Sequence, residues 1–408
     1  MNLPKITPSR RNILILTPII TIIAVGLFGR IVFGSLTDLF DFQLYYQAVE
    51  NILRGQMPWA EGVEFYYPPL AFVPLLIAYA ISLAGGGFLV FALAMWALML
   101  ICTIITTFCV YYIGLKIYSE KTAFVAAILN ATAISVAYYS LCRFDPFPTS
   151  LAMVAVLVTL YGDRKYGYLA SVLGLFTKIW PIVVFPFLWL YNARDTSVME
   201  EGKARAFAFL IGGGLLFGLM ILGGYDKFLG YADRVYCNTI PYTVDQYLQL
   251  PGIAIPFGIT AALFRILTVV VIAGALYLMY QQPKNIALML KLILAVIIVI
   301  TAFSQYRSPQ YIVWFTPFAA LLVAEDIWGI LVFIGVQVLA YIEYPLGYGV
   351  LYVNDKYVSG WGLVFFTVFF LTIGLLMWRA LKMEGPYVKS DDGVIPGVKA
   401  PKKSRGRR

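Results

Sequence analysis

Among the charged side chains that fall within or beside long apolar stretches of this chain, Asp38, Asp41, Arg143, Asp145, Lys178, Arg307 and Glu343 are the candidates for chemistry. An ionised side chain at lipid depth costs about 2.5 to 3.5 kcal/mol on insertion scales, so each calls for a reason. Carboxylates of this kind can accept a proton; Arg can grip an anion through two parallel bonds, and Lys supplies a point charge. Plainer readings exist for all of them: Asp38 or Asp41 as a helix cap, Lys178 snorkelling to an interface, Arg143 with Asp145 as a local ion pair. The sequence contains no histidine, which excludes imidazole bases, Ser-His triads and histidine metal sites. Cys102, Cys109, Cys142 and Cys237 lack the paired spacing of a zinc site or a disulfide framework. With no Asp-x-Asp pair either, neither a metal nor a cofactor is expected.

Those residues must be positioned by elements whose solvent is lipid. The chain has 408 residues, 61% hydrophobic and only 12% charged, with a mean hydropathy of +0.82; about a quarter of the residues of a soluble domain are charged. Apolar stretches long enough to cross a ~30 Å hydrocarbon core recur throughout. They lie at about 13–33, 67–85, 88–114, 122–141, 148–161, 167–191, 206–224, 257–280, 286–303, 309–324, 328–350 and 361–381. Because lipid forces internal satisfaction of the backbone, all are expected to be helices. The fold class is therefore an all-α polytopic membrane protein of about twelve transmembrane helices, one domain over residues 1–382. The first stretch is too long, and lacks the small-residue cleavage site, to be a removable signal, so it is expected to stay as an anchor.

The net charge of +9 is concentrated at the ends: Lys5, Arg10 and Arg11 before the first stretch, then Lys399, Lys402, Lys403, Arg405, Arg407 and Arg408. The positive-inside rule places both termini in the cytoplasm of a cell-membrane protein. The basic tail, 383–408, reads as disordered and suited to anionic lipid headgroups rather than to nucleic acid.

Two long loops, 34–66 and 225–256, then fall outside. In the first, Ser35-Leu-Thr-Asp38 has capping-box spacing, and Phe42, Tyr45, Val49, Ile52 and Leu53 recur at helical spacing opposite Gln43, Gln47, Glu50, Asn51 and Arg54. This is an interfacial amphipathic helix whose start carries Asp38 and Asp41. In the second, Tyr225, Asp226, Tyr231, Asp233, Tyr236, Tyr242, Asp245, Gln246 and Tyr247 mix flat apolar faces with hydrogen-bonding groups, a composition that suits a carbohydrate. A straight count of crossings would leave Lys116, Lys121, Arg164 and Lys165 outside and Asp145 inside. If one stretch between 66 and 114 does not span, and 167–191 is re-entrant with its turn at Thr177-Lys178-Ile179-Trp180-Pro181, Asp145 moves outside and the basic loops inside.

The run from Asp41 through Tyr45, Tyr46, Gly55 and Pro58-Trp59 to Tyr66-Tyr67-Pro68-Pro69-Leu70 resembles the first outer loop of C-type glycosyltransferases, in particular glycosyltransferase family 87. Thr177-Lys178-Ile179-Trp180-Pro181 resembles that family's Lys-aromatic-Pro segment, and Ser308-Pro309-Gln310-Tyr311-Ile312-Val313-Trp314 its late Ser-Pro-Gln-Tyr-x-x-Trp segment. The chain departs from the pattern at 142–148, where Arg143-Phe144-Asp145-Pro146 stands in place of Gly-Gln-x-Asn. The resemblance implies an inverting glycosyltransferase acting on the outer membrane face. It implies a polyprenyl or dolichyl phosphate sugar as donor, mannose preferred, a glycan or glycolipid as acceptor, and no metal.

It places the general base at Asp41, with Asp38 one turn earlier as the fallback. A sugar carried on a lipid phosphate already has a good leaving group, so transfer needs one carboxylate for the acceptor hydroxyl and cations for the departing phosphate. Lys178, Arg307 and Arg143 are the available cations; Tyr45, Tyr66, Tyr67, Asp145, Gln310, Tyr311 and Trp314 are the expected substrate contacts. The competing class is a transporter or lipid flippase, with Asp145, Lys178 and Arg307 lining a path. An amphipathic helix with Asp at its start favours transfer, since a transport path has no use for it.

Overall fold

The computed structural model describes residues 3–56, 65, 67–192, 197–221, 235–252, 255–354 and 357–383. Among them the chain is a series of helices. They are α1 (Pro8–Phe33), α2 (Phe40–Leu53), α3 (Phe72–Ser82), α4 (Gly87–Gly114), α5 (Glu120–Ala131), α6 (Ile134–Cys142), α7 (Pro146–Tyr161) and α8 (Arg164–Leu175). After them come α9 (Val184–Asn192), α10 (Val198–Ile221), α11 (Ile240–Gln249), α12 (Phe257–Gln281), α13 (Ile286–Phe303), α14 (Ile312–Val323), α15 (Ile327–Tyr341) and α16 (Gly360–Lys382). A short antiparallel pair, β1 (Tyr352–Asn354) with β2 (Tyr357–Val358), precedes α16. The starts are capped as side-chain chemistry predicts: Thr7, Ser119, Asp163, Asn285, Asp326 and Ser359 each accept a backbone N–H of the helix they open.

The protein is an all-α polytopic membrane protein. Helices α1, α4, α12, α13, α15 with its extension to Leu346, and α16 are long and apolar enough to cross a bilayer; α5 and α6 reach that length only as a pair, bent by 46° at the break between them. On α12, Ile266 is 62% and Val269 65% exposed, an outward apolar face whose solvent is lipid. Of the twelve stretches in the sequence, 67–85, 148–161, 167–191 and 309–324 hold apolar helices of only 10–17 residues, and 206–224 falls on α10 and runs beyond the described residues.

Contacts define two ends. At one, Arg10 pairs with Glu120, Lys116 lies over Tyr161 at 4.3 Å, Arg164 meets Glu201 at 2.8 Å, and Asp326 accepts Arg379 Nε at 2.6 Å. This basic end gathers the start of α1, the end of α4, the α7–α8 turn and the end of α16. At the other end, Tyr45 of α2 packs on Tyr67 before α3, while Tyr46 packs on Tyr79 near the end of α3 and on Phe88 at the start of α4. Both ends of α3 therefore lie along α2, and the chain turns back into α4 through Gly85, Gly86 and Gly87, all at positive φ. Helix α8 leaves the basic end, breaks at Thr177-Lys178-Ile179, and returns through a 3₁₀ turn (Trp180–Val183) and α9 to Asn192, which Lys284 contacts at 3.5 Å. Helices α8 and α9 thus form a hairpin with its tip at Lys178, Asn192 reaching back to Tyr168.

Candidate functional site

Four interruptions of helical backbone meet at the end opposite the basic one. Helix α6 stops at Cys142, Arg143 is extended (φ −138°, ψ 160°), and Pro146 opens α7. The α8–α9 hairpin opens at Lys178; the chain between α13 and the 3₁₀ turn Pro309–Tyr311 carries Arg307; and α15 ends in a π-helical turn, Ile342–Leu346, that leaves helical geometry at Tyr344. Proline explains why the breaks fall here, because it lacks an N–H to continue the ladder. At membrane depth such backbone is tolerated only where it lines protein or a polar cavity.

Asp41 lies in the first turn of α2 and Asp38 just before it. Asp38 Oδ1 accepts the Phe40 N–H at 2.9 Å in a turn ahead of α2, whose N-cap position is Leu39 without a side-chain cap, so the helix begins later than the capping-box spacing at Ser35 implies. Arg143 Nε lies 2.9 Å from Asp41 Oδ2, and its Nη2 lies 3.7 Å from Asp38 Oδ2. The Tyr45 hydroxyl donates to Asp41 at 3.3 Å and lies 3.4 Å from the Tyr67 hydroxyl. Burial pushes the Asp41 carboxyl above its ordinary value, with Arg143 pulling it partly back. Burial likewise raises the Tyr45 and Tyr67 phenols, so both remain protonated donors.

A second pair sits across Phe144, whose ring packs on Tyr67 at 4.6 Å and on Tyr45 at 5.7 Å. Asp145 is fully buried and does not pair with Arg143; its Oδ1 accepts Lys178 Nζ at 2.8 Å and Trp314 Nε1 at 2.6 Å. Its Oδ2 is buried with no hydrogen-bond partner among the described residues. The Lys178 ammonium lies 5.3 to 5.4 Å from the ring centres of Tyr67, Phe144, Tyr311 and Trp314, an aromatic cage that favours a cation. Trp314 stacks on Tyr311 at 3.8 Å and on Trp180 at 5.4 Å. The Leu70 N–H donates to Phe176 O at 2.8 Å, tying the Tyr-Pro-Pro-Leu segment to the hairpin tip.

Asp38, Asp41, Arg143, Asp145, Lys178, Tyr45, Tyr67, Tyr311 and Trp314 are thus brought together from separate parts of the sequence. Arg307 is not among them: its guanidinium is committed to Glu343, Nη1 to Oε1 and Nη2 to Oε2 at 2.7 Å each, with Phe369 at 4.8 Å. Gln310 is buried, and its side-chain oxygen accepts the Ser308 hydroxyl within its own turn. Pro58, Trp59 and Tyr66 lie outside the described residues, as do Tyr225, Asp226, Tyr231 and Asp233. Of the other second-loop residues, Asp245 bonds Gln249 at 2.7 Å, Tyr247 bonds Thr367 at 2.9 Å and Tyr236 packs on Tyr306. Sequence reasoning missed Tyr344, whose hydroxyl donates to Asp38. Nothing in spacing marks one tyrosine among 29.

Among the described residues, no group of three or more Cys, Asp and Glu side chains is placed to hold a metal ion. A cleft of about 470 Å³ opens at the basic end, between Arg164, Tyr166, Lys203 and Phe207. Of its cations, Arg164 is bound to Glu201 and Lys165 to Asp163, and neither Asp41 nor Asp145 lines it.

No protein-family model matches the chain, and no curated protein matches it. Among solved structures it is similar to the archaeal oligosaccharyltransferase AglB from Archaeoglobus fulgidus, described in complex with an inhibitory peptide and a dolichol-phosphate, at a TM-score of 0.45 and 12% identity. That likeness covers 93% of this chain and 56% of the other, so the chain spans little more than half its length. Function has to be read from the site's own geometry.

Proposed function

We propose that the chain is an inverting glycosyltransferase that moves a sugar from a polyprenyl or dolichyl phosphate to a hydroxyl of a glycan or glycolipid. Asp41 takes the proton of the acceptor hydroxyl as its oxygen attacks the anomeric carbon. The bond from that carbon to the phosphate oxygen breaks, and the electron pair leaves on the lipid phosphate. Lys178 and Arg143 receive the phosphate, while Asp38 remains the fallback base. The rings of Tyr67, Tyr311 and Trp314 supply flat faces for the sugar, and the open Oδ2 of Asp145 supplies an acceptor for one of its hydroxyls. Mannose as the sugar, and action on the outer membrane face, follow from the resemblance to family 87.

The observation that carries this reading is the pairing of a proton acceptor with one cation, Asp41 with Arg143, beside a second, aromatic-caged cation, Lys178. Those are the groups the chemistry requires, and no histidine or metal is needed. The test is incubation of purified full-length protein with polyprenyl phosphate mannose and a panel of lipid glycans. Release of polyprenyl phosphate with a mannosylated acceptor supports the reading; transport of the lipid across vesicles without donor consumption replaces it with the transporter class.

A further inference from the structure

We propose that Tyr344 is a positioning residue that assigns Arg143 to Asp41 by saturating its rival, Asp38, a role that rests on the reading of Asp41 as the base. Arg143 faces two carboxylates, with Nε 2.9 Å from Asp41 and Nη2 3.7 Å from Asp38 Oδ2. The Tyr344 hydroxyl donates to that same Oδ2, and the Phe40 N–H occupies Oδ1. Both oxygens of Asp38 thus have donors without Arg143, and the guanidinium is left to Asp41. The Tyr344 ring lies 5.8 Å from Arg143 Cζ, limiting how far the guanidinium can swing.

Tyr344 is itself held from two sides. Its ring packs edge-on against Tyr138 at 5.9 Å and Tyr348 at 5.6 Å. The preceding residue, Glu343, is anchored by Arg307, Asn238 and Tyr352. The Arg307–Glu343 pair is therefore the post on which the Ile342–Leu346 turn presents Tyr344, which gives Arg307 an indirect part in the site.

The charged and titratable groups facing Asp41 are Arg143 from the end of α6, Lys178 from the hairpin tip, Asp38 and Tyr45 from its own segment, and Tyr67 from the approach to α3. Removing the Tyr344 hydroxyl frees Asp38 Oδ2 to draw Arg143 away. Asp41 then keeps its burial but loses its nearest counter-charge, and holds its proton to higher pH.

The experiment is an infrared pH titration of the Asp41 carboxyl in full-length protein in lipid nanodiscs, its band assigned by difference from Asp41→Asn. Tyr344→Phe should move the titration upward by about one pH unit, and Asp38→Asn combined with Tyr344→Phe should abolish that shift, because the competing charge is gone. An unmoved titration in Tyr344→Phe, or a shift that survives in the double variant, overturns the proposal. Normal sugar transfer by Asp41→Asn would remove Asp41 as base while leaving the titration intact, so the two failures are distinguishable.

Discussion

Glu343 and Asp145 are both fully buried carboxylates paired with a cation at a helix break, and they differ in what is left over. Both oxygens of Glu343 are taken, Oε1 by Arg307, Asn238 and Tyr352, Oε2 by Arg307. Asp145 offers one oxygen to both Lys178 and Trp314 and leaves the other without a partner among the described residues. A buried polar atom without a partner costs about 1 to 3 kcal/mol, which a structural pair has no reason to bear. Under the proposed function, the saturated pair holds the fold and the unsaturated one keeps an oxygen for the sugar.

The largest effect should come on the ligand side, from Asp41→Asn. Asn matches Asp in shape and can still accept from Tyr45 and Arg143, so folding survives, but an amide is no useful base. Turnover of donor should fall by about 10² to 10⁴, the usual worth of positioned proton transfer. Near-normal turnover with monodisperse elution would exclude Asp41, and collapse in Asp38→Asn alone would move the role one turn back.

Next comes the saturated pair. Glu343→Ala strands Arg307 in a dry site and should destabilise the protein by about 3 to 5 kcal/mol, read as a fall in Tm in detergent. Arg307→Ala should behave similarly, so its effect is on stability rather than selectively on donor affinity; a stable Arg307→Ala protein with impaired donor binding would reverse the comparison.

Lys178→Ala, in contrast, should weaken donor binding by roughly 1 to 3 kcal/mol, the scale of a lost charged hydrogen bond, while acceptor affinity barely moves. Isothermal titration with polyprenyl phosphate measures it. A smaller effect follows from burial of Asp41. Its carboxyl is raised above 3.8 and must be ionised to act, so activity should fall as pH drops through a value higher than that of a free aspartate. An acid limb at or below 3.8 would show that another group sets it. The smallest effect belongs to the basic end: Asp326→Asn breaks a partly exposed pair with Arg379 and should leave turnover unchanged and Tm nearly so.

The helices and most of the cluster were legible from apolar run length, proline position and the ordered segments around Asp41, Lys178 and Tyr311. For 67–85 and 167–191, apolarity alone did not separate a crossing from a turn; the placement of Lys116, Lys121, Arg164 and Lys165 was the signal in the sequence. The contact of Tyr46 with Tyr79 lays α3 along α2, and that of Asn192 with Tyr168 folds α9 back on α8. The buried face of α2 was read correctly at Phe42, Tyr45 and Val49 but not at Leu53, which is exposed where the helix ends. The role of Arg307 was misplaced for a different reason: a charge in an apolar run signals a partner, but the sequence does not say whether that partner is a ligand or the distant Glu343.

The bond from the Leu70 amide to Phe176 O has a kinetic corollary. Pro68 and Pro69 carry no N–H, so Leu70 is the first amide after Tyr67 whose proton can exchange with solvent. Its exchange is blocked only while the hairpin tip is docked. The protection of this one proton therefore counts the openings of the Lys178 hairpin in the unmodified protein, with or without a lipid donor bound.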